Sequence, residues 1–241
     1  MKDQEIDGVL NNAGRAPHDL APEVLQRIAD SLKPTLRPVR PLPPPWAMTC
    51  GMLLISAAVS LAGAARAGFF GFEKMDILER LLILPALVIL VWMAGSEFVH
   101  AMIPGSLRRI SSGALLGFGT TALLIVFAFL FRDYRSDHFF SAGIACLLVG
   151  FLHAIPAALL GWLLIRRGFA VNSVSAGLAA GTLGGLAGVG MLELHCPNLQ
   201  AAHVLVWHVA VVPVSAAAGA LVAWSLRFRA GSRPHERISP K

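Results

Sequence analysis

The sequence predicts an all-α membrane protein: a six-transmembrane-helix bundle with a short cytoplasmic N-terminal amphipathic helix. Three observations predict it. The 241-residue chain is 56% hydrophobic but only 14% charged, where a soluble domain of this size carries about 25% charged residues. The charges gather at the two ends and in short connections, leaving long runs without Asp, Glu, Lys or Arg. Six of these runs approach the length of about 20 residues needed to cross a ~30 Å hydrocarbon core.

Taken in order, residues 1–19 are polar, include Asn11, Asn12 and Gly14, and read as a disordered extension. Residues 20–45 form the next unit. Pro22 suits a first helical turn, and Val24, Leu25, Ile28 and Leu32 then recur at helical spacing on one face. Pro34, Pro38, Pro41 and Pro43–Pro45 end that helix and extend the chain toward the membrane. With so polar a start, no cleavable signal peptide is expected and the N-terminus is expected to be retained.

The transmembrane domain is assigned to 46–226, with spans near 47–65, 77–96, 110–131, 139–165, 170–192 and 202–226. Glu79 and Arg80 interrupt the start of the second, where they suit an interfacial position. The sixth must accommodate His203 and His208. Residues 227–241 form a basic tail.

Orientation follows from the basic residues. With both termini in the cytoplasm, fifteen of the twenty Lys and Arg fall on the cytoplasmic side, as the positive-inside bias requires. Trp46, Trp92, Trp162 and Trp224 then fall near the cytoplasmic ends of their helices, where interfacial anchors belong. The same bias accounts for the net charge of +6 without invoking nucleic acid.

The fifth span carries Gly177, Gly181, Gly184, Gly185 and Gly188. Their four-residue spacings make flat faces for close helix packing. An intramolecular partner is the first expectation for those faces, and a homodimer seam through the fifth helix is the second.

Catalytic patterns are lacking. The sequence has no HExxH, no GxSxG, no Walker A loop and no pair of aspartates within a span, so no enzyme is expected. The residues with chemistry collect instead toward the predicted outer side. Cys146 lies seven residues into the fourth span, roughly 10 Å down the helix, and His153 follows two turns later on the same face. Cys196 ends the fifth span in the run Glu193-Leu194-His195-Cys196-Pro197, and His203 and His208 open the sixth. Thiolate and imidazole suit soft and borderline metals. Two thiols in an oxidising compartment can also form a disulfide. The bland alternatives are cysteines acting as small hydrophobes and histidines bonding between helices. Cys50, near the inner end of the first span, is remote from this group.

The residues from Phe139 to Arg229 resemble the NrsF family of membrane-bound anti-sigma factors, which hold extracytoplasmic-function (ECF) sigma factors at the inner membrane. The resemblance is carried by Gly143-Ile144-Ala145-Cys146, Arg166-Arg167-Gly168, the glycine-rich fifth span ending in Leu194-His195-Cys196-Pro197, and Val206-Trp207-His208. The Leu-Arg-Pro-Val-Arg-Pro-Leu-Pro stretch at 36–43 is also similar. The resemblance implies six spans and a cytoplasmic segment, residues 20–45, that captures an ECF-type sigma factor. It further implies a cysteine pair, Cys146 and Cys196, tied to metals or oxidants. Cys50 falls outside the family pattern.

The resulting expectation is a non-enzymatic inner-membrane regulator that needs no cofactor and makes no direct contact with nucleic acid. Its partners are the lipid bilayer and a sigma factor. A transient heavy-metal ion is a candidate signal, with His195, His203 and His208 as further ligands. The stripe Val24, Leu25, Ile28 and Leu32 serves either to grip the partner or to rest on the inner leaflet beside Arg27, Lys33, Arg37 and Arg40. The rival reading is a small-molecule or metal-ion transporter, with His153 and His208 along its path.

Overall fold

The computed structural model describes residues 22–33, 42–103, 105–106, 110–134, 139–165, 168, 170 and 172–231, with side chains up to 226. The expected N-terminal extension, the proline tether over 34–41 and most of the basic tail lie outside the described residues. The described residues fall into two units, the second beginning at Leu42.

The first unit contains one helix, α1 (Pro22–Leu32), with Val24, Leu25, Ile28 and Leu32 all exposed. Lys33 pairs with Asp30 at 2.8 Å just beyond its end.

The second unit is entirely helical among its described elements. Its helices are α2 (Pro45–Ala67), the short α3 (Phe70–Lys74), α4 (Ile77–Ala101), α5 (Ser112–Leu130), α6 (Phe139–Ile165) and α7 (Ser173–His195). The last, called α8 here, is composite: an α-helical turn at Ala201–His203, a π-helical turn at Val204–His208, and α-helix over Val209–Gly231. Six of the helices are long and apolar enough to cross a membrane, in the order expected.

Local chemistry sets the helix boundaries. Pro45 opens α2, where its missing N–H has no partner to lose. Gly68 ends it at φ 103°, a left-handed conformation that favours glycine, and its N–H donates to the Ala64 carbonyl. The charges that interrupt the second span make its start. Asp76 accepts from the Glu79 N–H at 2.7 Å, and Glu79 accepts from the Asp76 N–H at 2.8 Å, which is a complete capping box. The Arg80 guanidinium lies over the Phe72 ring at 4.4 Å. Asn172 caps α7 by accepting from the Ser175 N–H, so that span starts at Ser173 rather than near 170.

Helix α7 is the centre of the bundle. It is 67% buried, against 22–39% for the other five spans. Its small residues explain this, because a helix without side chains on two faces admits two neighbours at backbone distance. A Cβ on Gly177 or Gly181 would collide with the Gly219 or Ser215 carbonyl of α8. One on Gly184 or Gly188 would collide with the Ala154 or Gly150 carbonyl of α6. On a further side, the Ser60 hydroxyl of α2 donates to the Ala187 carbonyl at 2.7 Å. Both glycine faces are therefore occupied from within the chain. Intramolecular packing, the first of the two expectations for these faces, is thus what the glycines of the fifth spanning helix serve in this chain.

Replacing Gly181 or Gly188 by Val is expected to destabilise the bundle by at least about 1–3 kcal/mol through overpacking. Gly117, exposed on α5 with nothing within 4 Å of an added Cβ, should accept Ala with a gain of about 0.4–1 kcal/mol. Thermal unfolding of the three variants in detergent separates these outcomes.

Candidate functional site

The termini of α6, α7 and α8 meet at one end of the bundle. Cys146 lies two turns into α6 and is half-buried, while Cys196 is the residue that ends α7 and is buried. Its backbone N–H closes the last turn by donating to the Leu192 carbonyl at 2.7 Å. The two sulfurs are 3.5 Å apart although fifty positions separate them in the chain. His203 Nε2 lies 3.6 Å from Cys196 Sγ. The His203 and His208 rings meet edge to face, with centroids 5.2 Å apart. One donor atom from each of Cys146, Cys196, His203 and His208 lies within 4.8 Å of all the others.

The two histidines reach one place because the helix between them is not α-helical. Positions five apart on an α-helix point about 140° away from each other. In a π turn the extra residue brings i and i+5 to the relation that i and i+4 have in an α-helix. Here the Val209 N–H donates to the Val204 carbonyl, five residues back. The same turn sets Trp207 against Gly143, which has no Cβ to block the indole. The Phe139 and Phe140 rings pack on that indole at 5.4 and 6.1 Å. The start of α6 is thereby held against α8, one turn from Cys146.

Glu193, fully buried in the last turn of α7, completes the group. Its Oε1 accepts from the His208 Nδ1–H at 2.7 Å. Three buried polar atoms in this small volume have no partner among the described residues: Glu193 Oε2, His203 Nδ1 and His208 Nε2. Native interiors leave few such atoms unsatisfied.

The structure separates the remaining sequence-predicted residues from this group. His195 is the neighbour of Cys196 in sequence but not its partner in space. Its Nδ1–H donates to the Gly68 carbonyl at 3.0 Å and its ring packs near Phe70, so it is not drawn into the donor set. His153 donates from Nδ1 to the Val149 carbonyl of its own helix and packs against Gly63. Cys50 is at the other end of the bundle: its neighbour Gly51 packs on Leu164, about 27 Å of helix rise beyond Cys146.

Glu193 is the residue that sequence reasoning passed over. A signal was present, because Glu193 is the sole acid in the fifth span, and an ionisable group there calls for a named partner.

No curated protein and no solved structure matched the chain. A family model described as negative regulator of sigma F matches residues 32–228, which include all six spanning helices and all five residues of the cluster. The match begins at the last residue of α1, so Val24, Leu25 and Ile28 precede it. On that match, over most of its length, the chain belongs to the NrsF family, the negative regulators of sigma F.

Proposed function

We propose that this chain is a non-enzymatic anti-sigma factor of the bacterial inner membrane, with both termini in the cytoplasm. It holds an ECF-type sigma factor away from RNA polymerase and lets it go when the Cys146–Cys196 pair meets a thiophilic metal or an oxidant. Family membership supports the sigma-factor partner. The orientation rests on the basic residues, fifteen of twenty on one side.

The observation that carries the sensing reading is the 3.5 Å approach of two thiols from different helices. That pair lies at the end of the bundle opposite to the start of α2. A signal at the cysteines is therefore read across the membrane from the segment that precedes α2. Residues 20–45 form the capturing segment, with Val24, Leu25, Ile28 and Leu32 of α1 as its apolar face.

Energetics permit such a switch. Moving an equilibrium from 1:99 to 99:1 takes about 5.5 kcal/mol of differential binding, whereas a full structural zinc site provides about 10–16 kcal/mol. A transporter reading draws no support from the site, because His153 and His208 are engaged with different neighbours.

Two outcomes test this reading. Cys146→Ser and Cys196→Ser should each capture the sigma factor like the parent protein and lose at least tenfold of its release by metal or oxidant. A double variant that still releases normally refutes the sensing half. Charge placed on the apolar face of α1, as Leu25→Glu with Ile28→Glu, should weaken co-purification of the sigma factor at least tenfold while leaving membrane insertion unchanged. Undiminished co-purification places capture elsewhere.

A further inference from the structure

We propose that Cys146, Cys196, His203 and His208 form a single tetrahedral site for a divalent cation of the zinc class, with Glu193 as the positioning residue that fixes His208. This deepens the sensing reading above, and it rests on that reading only for its consequence on sigma-factor capture.

Geometry is the first ground. A tetrahedron with metal–sulfur bonds of about 2.3 Å and metal–nitrogen bonds of about 2.0–2.1 Å has donor–donor edges of roughly 3.3–3.8 Å. The Cys146–Cys196 and Cys196–His203 separations, 3.5 and 3.6 Å, already fall in that range. All four donors lie within 4.8 Å of one another, so the longest edge needs to shorten by about 1 Å.

The second ground is the ring of His208. A metal-bound histidine almost always donates its other ring N–H to a carboxylate or carbonyl, which fixes the tautomer and turns the free nitrogen toward the metal. Glu193 has that place, accepting from Nδ1 at 2.7 Å, and His208 Nε2 is buried with no hydrogen-bond partner among the described residues. His203 presents Nε2 to Cys196 and has no partner at Nδ1 among the described residues. Of the two imidazoles, only that of His208 is oriented from behind by a carboxylate.

Charge is the third ground. Binding converts two thiols to thiolates and requires His208 as the neutral imidazole with its N–H toward Glu193. It forms two metal–sulfur and two metal–nitrogen bonds and passes every proton displaced from sulfur or Nε2 to solvent. Two thiolates neutralise a dication, so the metal with its four ligands carries no net charge in a buried volume, where an unbalanced ion is heavily penalised. A Cys2His2 set of this kind selects a borderline, tetrahedral cation over hard oxygen-seeking ones. An open recess of about 550 Å³ is lined by Lys74, Asp133 and the residues Pro197–Gln200 that follow Cys196.

The test uses the full-length protein in detergent micelles, with Zn2+ affinity from chelator competition and Co2+ as spectroscopic probe. The expected result is one Zn2+ per chain and, with Co2+, the visible bands of a tetrahedral thiolate–imidazole centre. His203→Ala and His208→Ala should each alter those bands and weaken Zn2+ binding at least tenfold. Glu193→Gln should weaken Zn2+ binding 10- to 100-fold while keeping the tetrahedral band pattern, with partial recovery in Glu193→Asp. Circular dichroism and gel filtration check that each variant is folded, and His203→Gln with Glu193→Gln carry the comparison if an alanine variant fails. Unchanged affinity and spectra in both histidine variants would overturn the four-donor site and leave a sensing thiol pair intact. Zn2+ binding as described, with sigma-factor capture indifferent to Zn2+, would support the site and remove the sensing function.

Discussion

Three helix backbones come together at α7 because its glycines leave no side chain between them, and the rest of the bundle depends on that approach. Gly184 and Gly188 bring α6 to within contact of the α7 backbone, and Gly177 and Gly181 do the same for α8. A helix backed by backbone on two sides has little freedom to shift sideways, since even one added methyl would meet a carbonyl oxygen. Gly150, the α6 partner of Gly188, is one turn from Cys146. The packing that centres α7 thus also fixes how far the Cys146 sulfur stands from the end of α7, where Cys196 lies. Close packing and the thiol pair share one cause.

The π turn of α8 is the second constraint. Irregular helical turns of this type weaken local hydrogen-bond geometry and tend to occur where a side chain must be re-aimed. Here the return on that local cost is the pairing of His203 with His208, and the fit of Trp207 into the gap left by Gly143. Pro213 follows within the same helix, and its ring disfavours a regular turn back to Val209. The π turn of α8 thus lies where the helix meets the cysteines, and the α-helical stretch from Val209 onward lies along α7.

Much of this was legible beforehand, and the misses have physical reasons. The six spans follow from hydropathy because a bilayer demands about twenty apolar residues per crossing, and the cysteine pair follows once helix direction alternates. The capping box at Asp76 and Glu79 shows why charges at the start of the second span did not undermine it. His195 was drawn toward Cys196 by adjacency alone. Adjacency does not survive a helix end, because Cys196 leaves α7 with extended backbone while His195 stays in the last turn and points to Gly68. The convergence of His203 and His208 could not be read from a spacing of five, since an α-helix would have parted them. The unspoken role of Glu193 was readable: a lone carboxylate at the end of an apolar span needs a partner within reach of its own helix end, and His208 is the partner.

The position of the cluster bears on what a bound ligand would do to the bundle. Its members come from three separate elements, so any species that shortens their mutual distances draws the ends of α6, α7 and α8 together. Side chains in an ordinary interface absorb such a movement by changing rotamer. Backbone contacts at glycine cannot, because nothing between the helices is free to rotate. In the proposed mechanism a contraction near Cys146 would be passed along α6 and α8 as movement of whole helices relative to α7, in the manner of packed interfaces that shift between discrete arrangements. Leu164, near the far end of α6, packs on Gly51 in the second turn of α2, and α2 is the helix to which the proposed capturing segment is joined. In the proposed mechanism this is the route by which a change of about an ångström at a buried thiol pair reaches the side from which the partner is held.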